Sequence, residues 1–117
     1  MNKGLALVIE DDHDLVVLFS EALRRAGFEV ESFQAGDRAM QRLQTIEPRI
    51  ILLDLHLPKV SGAEILKYVR SQERFNQTRV IITSADAQLA DEFRDTADLV
   101  LVKPVSISQL CDLAGRL

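Results

Sequence analysis

The stretch I-I-L-L-D-L-H-L-P, residues 50–58, contains four large apolar residues that lead directly into an acid, Asp54. A short continuous apolar run of this kind is typical of a strand buried on both faces of a parallel sheet. Pro58 lies just past the run, so the strand is predicted to end before it. Asp54 is therefore expected at the carboxyl end of a central strand, where open α/β sheets form their ligand crevices.

Two other apolar runs also end in charged residues. Residues 5–9 (LALVI) lead into the acidic residues 10–12, and residues 99–102 (LVLV) lead into Lys103 and Pro104. Because the carboxyl ends of parallel strands meet at one edge of a sheet, these side chains are expected to lie near Asp54. The sequence thus predicts three buried strands that bring several acids and one lysine to the same edge.

The rest of the chain alternates between strand and helix patterns. An exposed strand is predicted over residues 28–33 and a further strand over 80–83, from their alternating or β-branched apolar residues. Apolar residues at helical spacing predict a first helix that follows a cap at Asp12 or Asp14 and ends at Gly27, with Arg24 and Arg25 in its last turn. The same spacing predicts helices over residues 35–46, 65–69, 86–94 and 107–114, of which 86–94 is short and weakly amphipathic. Five β–α units in succession favour a parallel sheet with helices on both faces.

Composition narrows the class of protein. The 117 residues suit one domain, 47% of them are apolar, and the formal charge is −4, so a disordered chain and a basic nucleic-acid-binding domain are both disfavoured. The single cysteine, Cys111, cannot form an internal disulfide, and no signal peptide is visible, which suggests the cytoplasm. No apolar run approaches the roughly 18 residues of a membrane span.

Acids crowded at one edge repel one another and favour a bound cation, and oxygen ligands suit Mg²⁺. A carboxylate beside such a metal can act as a nucleophile toward phosphorus, and a lysine ammonium can pair with a phosphoryl oxygen. A hydroxyl at the end of the fourth strand, Thr83 or Ser84, could donate to another oxygen. Each feature alone has a simpler explanation, such as a solvated acidic turn, a surface lysine or a strand-end hydroxyl.

Taken together and in order, these motifs resemble the receiver domain of two-component response regulators. The resemblance covers essentially the whole chain and rests on the acids 10–12, the strand and loop 52–58, Gly62 eight residues after Asp54, I-T-S-A at 82–85, and Lys103-Pro104. It implies one receiver domain over residues 1–117. The implied fold is a flavodoxin-like, doubly wound α/β sheet of five parallel strands in the order 2-1-3-4-5 with five helices.

The resemblance also implies a role for each residue of the site. Asp54 would be the phosphoacceptor and Lys103 would contact the phosphoryl group. Asp11 would ligate Mg²⁺ directly, Glu10 would act through a metal-bound water, and the backbone carbonyl of His56 would be another ligand. These roles make the domain a signalling switch rather than a turnover enzyme.

The hydroxyl that responds to phosphorylation is expected to be Ser84, because it lies thirty residues after Asp54, the usual interval in the family, and Ala85 follows it. Thr83, one residue earlier, is the alternative. The sequence departs from the family pattern at two places, both in the part of the domain that responds to phosphorylation and contacts partners. Val100 occupies a position that usually carries an aromatic residue in the family. Lys103 follows Ser84 at an interval of only nineteen residues, which predicts a shortened fourth helix region.

The implied partners are a histidine kinase or phosphotransfer protein upstream and a downstream protein or effector domain, with a second copy of the chain as a further candidate. Direct nucleic-acid binding and membrane insertion by this domain are not expected. One alternative is a receiver-like binding module that works without phosphate. Another is a haloacid-dehalogenase-type phosphohydrolase, but such enzymes carry a second acid two residues after the nucleophile, where this chain has His56.

Overall fold

A computed structural model describes residues 2–117 of the chain as alternating strands and helices. The strands are β1 (Leu5–Ile9), β2 (Glu29–Phe33), β3 (Ile50–Asp54), β4 (Arg79–Ser84) and β5 (Leu99–Val102). The helices are α1 (His13–Arg25), α2 (Gly36–Leu43), α3 (Gly62–Ser71), α4 (Ala87–Asp91) and α5 (Ile107–Gly115), and a 3₁₀ turn covers Glu73–Phe75. All strand pairs are parallel, in the order β2-β1-β3-β4-β5.

Successive residues of the inner strands point to opposite faces of the sheet and contribute to two apolar layers, one on each face. On one face, residues such as Ile51, Leu53 and Ile82 pack with α2 and α3. On the other face, residues such as Leu52 and Ile81 pack with α1 and α5. All five residues of β3 are buried, as the continuous apolar run predicts. The carboxyl end of β3 is thereby fixed between two strands and two helix layers.

Strand β5 is less buried than the sequence predicted. Its first three residues are partly buried, and Val102 is 40% exposed. The cause is its place in the sheet, because β5 is an edge strand that pairs only with β4. The prediction of a third fully buried strand was wrong, although its bounds, Leu99–Val102, are those expected.

Two helices end earlier than their sequence patterns predicted. Helix α2 ends at Leu43 rather than near residue 46, and α4 ends at Asp91 rather than near residue 94. In both, the backbone beyond the helix forms 3₁₀-type hydrogen bonds between residues three apart, such as Thr45 N–H to the Arg42 carbonyl oxygen and Phe93 N–H to the Ala90 carbonyl oxygen. Within residues 2–117, no helix has both the length and the apolar character needed to cross a membrane.

Candidate functional site

Strand register brings three buried polar side chains into one row at the carboxyl edge of the sheet. Asp54 is paired with Thr83 on β4. Glu10 lies beside Asp54, because each directly follows one member of the Ile9–Leu53 pair. Strand alternation places all three side chains on the face covered by α1 and α5. Exposure of these residues is only 1% for Glu10, 3% for Asp54 and 1% for Thr83.

Three carboxylates form a cluster at this edge. Ligand oxygens of Glu10, Asp11 and Asp54 all lie within 4.8 Å of one another, and Asp11 is the exposed member. The loops beyond β1 and β3 fold back onto the buried acids. Asp12 donates its backbone N–H to Glu10 Oε2 at 3.1 Å, and His56 donates its backbone N–H to Asp54 Oδ1 at 3.2 Å. Local backbone donors therefore orient two of the three carboxylates.

Lys103 brings a cation into this cluster from the end of β5. Its Nζ lies 2.7 Å from Glu10 Oε1 and 3.4 Å from Asp54 Oδ2, and the Lys103–Pro104 peptide bond is cis. The closer contact is an ion pair by distance, but Glu10 Oε1 has no hydrogen bond of good geometry within residues 2–117. The predicted meeting of Asp54 and the lysine with acids of the first loop is thus observed for Glu10 and Asp11, whereas the Asp12 side chain accepts the backbone N–H of Leu15 at the start of α1.

Burial and charge shift the pKa values of the two groups that face each other most closely. Burial raises the pKa of the Glu10 carboxyl from 4.5 to about 7, and the nearby Asp54 charge adds to this effect although Lys103 opposes it. Burial by itself would lower the pKa of Lys103, but its contacts with Glu10 and Asp54 outweigh burial and raise it. The lysine therefore stays charged, while Glu10 is the carboxyl that resists ionisation.

The donor set of the cluster fits a divalent cation. Three carboxylates and one ammonium leave two negative charges when all four groups are ionised. All candidate side-chain ligands are oxygens, which suit hard cations such as Mg²⁺. Glu10 Oε1, which has Lys103 nearby but no hydrogen bond of good geometry within residues 2–117, could also accept from the hydration shell of a cation. The cluster could therefore hold such a metal.

The two candidate hydroxyls at the end of β4 have different surroundings. Ser84 Oγ accepts the backbone N–H of Asp86 at 3.0 Å and lies 3.3 Å from the Asp86 carbonyl oxygen, so it fastens the turn that leads into α4. Strand alternation places Ser84 on the α2 and α3 face, away from Glu10 and Asp54. Thr83 Oγ1 is buried and has no hydrogen-bond partner within residues 2–117.

Two further contacts support the site, one at Gly62, which the sequence marked only by its spacing to Asp54, and one at Gln34, which the sequence did not mark. Gly62 begins α3 directly against β3, and a Cβ built on it would lie 2.2 Å from the Asp54 carbonyl oxygen. Gln34 donates its side-chain N–H to the Asp11 carbonyl oxygen at 3.1 Å. The glycine could be found from its spacing to Asp54, but a glutamine twenty-three residues from Asp11 carries no recognisable signal.

Comparison with known proteins agrees with this geometry. Residues 6–114 match the family described as response regulator receiver domain. The chain belongs to this family. The receiver chain is 35% identical over 106 residues to the phosphate regulon transcriptional regulatory protein PhoB of Rhizobium meliloti, covering 88% of the chain and 47% of PhoB. It is 28% identical over 115 residues to the polar-differentiation response regulator DivK of Brucella ovis, covering 96% of the chain and 93% of DivK.

Solved structures show the same fold. The chemotaxis response regulator CheY4 of Vibrio cholerae superposes with a TM-score of 0.85 at 26% identity, covering 96% of each chain. The predicted receiver family and its 2-1-3-4-5 parallel sheet are therefore confirmed. The chain spans about half the length of PhoB but nearly all of DivK. As a receiver domain it has an acidic pocket, formed by Glu10, Asp11 and Asp54, that suits phosphorylation and Mg²⁺.

Proposed function

We propose that residues 1–117 act as one receiver domain of a phosphorelay, in which Asp54 accepts the phosphoryl group. The observation that carries this proposal is the position of Asp54, buried at the carboxyl end of the central strand between two further carboxylates and Lys103. Asp54 is paired through one oxygen to His56 N–H and approached by Lys103 at the other. Glu10 also has a backbone donor at one oxygen and Lys103 at the other, so it is the place of Asp54 at the end of the central strand β3 that distinguishes it.

The proposed donor is a phosphohistidine on a histidine kinase or phosphotransfer protein. A carboxylate oxygen of Asp54 forms the new O–P bond while the P–N bond of the donor breaks, and the electron pair of that bond remains on the donor imidazole. Lys103 offsets the charge on the phosphoryl oxygens, since its ammonium already lies 3.4 Å from Asp54 Oδ2. The proposed role is a switch, with no second substrate turned over.

The proposed cofactor is Mg²⁺, held directly by Asp11, Asp54 and the backbone carbonyl of His56, and by Glu10 through water. When bound, Mg²⁺ neutralises negative charge on the transferring phosphoryl group. The contribution of the chain is to keep these oxygens together before the donor arrives. His56 N–H and Asp12 N–H fix the buried carboxylates, which reduces the cost of arranging them during the reaction.

The proposed switch begins at Ser84. To reach a phosphoryl group on Asp54, its hydroxyl must give up the bond to Asp86 N–H, and that bond fastens the start of α4. Phosphorylation would therefore bias α4 and the segment after it between two arrangements, and a downstream protein or effector domain would read the difference. We place this relay in the cytoplasm, with a second copy of the chain as a further candidate partner.

The proposal predicts the outcome of phosphorylation with acetyl phosphate and Mg²⁺, followed by intact mass. The chain should gain one phosphoryl group, and Asp54→Asn should gain none because the nucleophile is lost. Asp14→Asn, which changes the same charge on an exposed acid of α1, should match the unsubstituted chain. Persistent uptake in Asp54→Asn would mean that another acid is the acceptor.

A receiver-like module that binds partners without phosphate is the second candidate. The five-residue α4 and the half-buried Val100 favour it, because both lie where the family usually transmits the switch. If the chain takes up no phosphoryl group from acetyl phosphate or a phosphohistidine donor at short times, this candidate is preferred. Membership of the receiver family supports a switch over the phosphohydrolase alternative.

A further inference from the structure

Thr83 carries a buried hydroxyl whose presence needs an explanation. The residue is 1% exposed, and Oγ1 has no hydrogen-bond partner within residues 2–117. Leaving a buried hydroxyl unpaired destabilises a protein, whereas an apolar side chain of the same shape avoids that cost. Valine would have nearly the same shape at this position. The structure therefore contains a polar group that the unphosphorylated fold does not use.

The neighbours of Thr83 place its hydroxyl inside the phosphorylation site. Thr83 is the register partner of Asp54 in parallel strands, so the two side chains share a face and their backbones lie about 5 Å apart. Lys103 follows β5 and reaches both Asp54 and Glu10, and β4 lies between β5 and those acids. The lysine side chain therefore spans the end of β4, the strand that carries Thr83, on its way to the two acids.

Ser84 offers a contrast within the same strand end. Its hydroxyl is satisfied by Asp86 N–H at 3.0 Å and, by alternation, belongs to the opposite face of the sheet. Ser84 must break an existing bond before it can serve the site. Thr83 has no bond to break, and its strand partner is the acid itself.

We propose that Thr83 is a second hydroxyl of the phosphorylation site and donates a hydrogen bond to an oxygen of the phosphorylated Asp54 side chain. This inference rests on the proposed function of Asp54. Before phosphorylation, His56 N–H and Lys103 already approach the two oxygens of Asp54. Phosphorylation adds oxygens and negative charge beside Thr83, which gives the hydroxyl an acceptor. The hydroxyl then favours the phosphorylated state selectively, because only that state satisfies it.

The test uses the full chain with Thr83→Val, which removes only the hydroxyl, and Thr83→Ser, which retains it. Intact mass at subsaturating acetyl phosphate with Mg²⁺ gives the ratio of phosphorylated to unphosphorylated protein. We expect Thr83→Val to lower this ratio by about tenfold, as for loss of one hydrogen bond to a charged group, while its unphosphorylated form unfolds at a higher temperature. Thr83→Ser should stay within about threefold of the unsubstituted ratio.

Thr78→Val is the matched control. Thr78 is also buried, but its Oγ1 donates to the Pro48 carbonyl oxygen at 2.7 Å, so its valine variant should lose stability and keep the phosphorylation ratio. An unchanged ratio in Thr83→Val, or equal losses in Thr83→Val and Thr83→Ser, would overturn the inference. A lower unfolding temperature for Thr83→Val would also overturn it, by showing that the hydroxyl already has a partner. Absence of phosphate in the unsubstituted chain would instead reject the proposed function, and this inference with it.

Discussion

Gly62 shows how closely the acidic pocket around Asp54 depends on the absence of one side chain. It is the first residue of α3, and an added Cβ would lie 2.2 Å from the Asp54 carbonyl oxygen and 2.7 Å from the Leu55 Cα atom. Both neighbours are backbone atoms, so they cannot move aside without shifting the end of β3. Glycine at this position lets the helix begin against the strand that carries Asp54.

Gly62→Ala should therefore impair both folding and phosphorylation. We expect the free energy of unfolding to fall by about 2 kcal/mol, in the range of overpacked sites, and phosphate uptake from acetyl phosphate to slow because the Asp54 backbone shifts. Urea unfolding and intact mass measure the two effects. Gly115→Ala is the control, since a Cβ there meets nothing within 4 Å; it should leave uptake unchanged. Full activity in Gly62→Ala would show that β3 tolerates the displacement.

The segment between α4 and β5 is held by one acid rather than by a long helix. Asp98 Oδ2 accepts the backbone N–H of Val80 at 2.7 Å and pairs with Arg70 at 2.7 Å, while Oδ1 pairs with Arg79 at 3.2 Å. Arg70 also donates to the carbonyl oxygens of Thr96 and Thr78. Asp98 and Arg70 thus tie the returning chain to α3 and to the start of β4.

These contacts give a pH-dependent contribution to stability. Burial by itself would raise the pKa of Asp98, but Val80 N–H and the two arginines outweigh burial and lower it below 3.8. A carboxylate with a lowered folded pKa stabilises the fold fully above its unfolded value, and this stabilisation is lost as the pH falls through the folded pKa. We expect Asp98→Asn to reduce the free energy of unfolding by about 1 to 3 kcal/mol near neutral pH.

The difference in free energy of unfolding between the unsubstituted chain and Asp98→Asn should decrease only below about pH 4, as the Asp98 carboxylate takes up a proton. Urea unfolding of both proteins from neutral pH to about pH 3 measures this difference, and the contributions of the other acids cancel because both proteins contain them. Asp95→Asn, on an exposed acid of the same segment, should show no such difference. A difference that stays constant down to about pH 3 would contradict the role of the Asp98 charge.

Strand ends could be predicted more accurately than helix ends, for a physical reason. The bounds of β3 and β5 follow from apolar runs that stop at a charged residue, and burial imposes that stop locally. Helix α4 ends early where its backbone changes to hydrogen bonds between residues three apart, such as Phe93 N–H to the Ala90 carbonyl oxygen, and the spacing of apolar residues does not reveal this change. Likewise, motif spacing identified Thr83 and Ser84 as alternatives, but only the fold reveals that one hydroxyl is bonded and the other is not.

At the scale of the whole molecule, the site joins distant parts of the chain. Glu10 and Asp11 follow β1, Asp54 ends β3, and Lys103 follows β5, so the cluster exists only when the sheet is assembled. The unfolded chain separates these groups and lacks a preformed site. A cation that binds the cluster must therefore stabilise the complete fold by mass action.

Magnesium titration should reveal this linkage. At a Mg²⁺ concentration a hundredfold above the dissociation constant, the free energy of unfolding should rise by about 2.7 kcal/mol, and a chelator should reverse the increase. Asp11→Asn should lose most of this increment because a charged oxygen ligand is removed. Thermal unfolding with and without Mg²⁺ measures this increase in stability for the unsubstituted chain and for Asp11→Asn. Asp14→Asn is the charge-matched control and should show the full increase.

The sign of the Asp11→Asn effect distinguishes a metal ligand from a structural acid. Asp11 is exposed and adds negative charge beside buried Glu10 and Asp54, so without Mg²⁺ its neutralisation should leave stability unchanged or slightly higher. With Mg²⁺, the same variant should be the less stable protein. A structural acid would lower stability equally in both conditions. Equal loss with and without Mg²⁺ would therefore remove Asp11 from the metal site, whereas a loss confined to Mg²⁺ would place the cation at the carboxyl edge of the sheet.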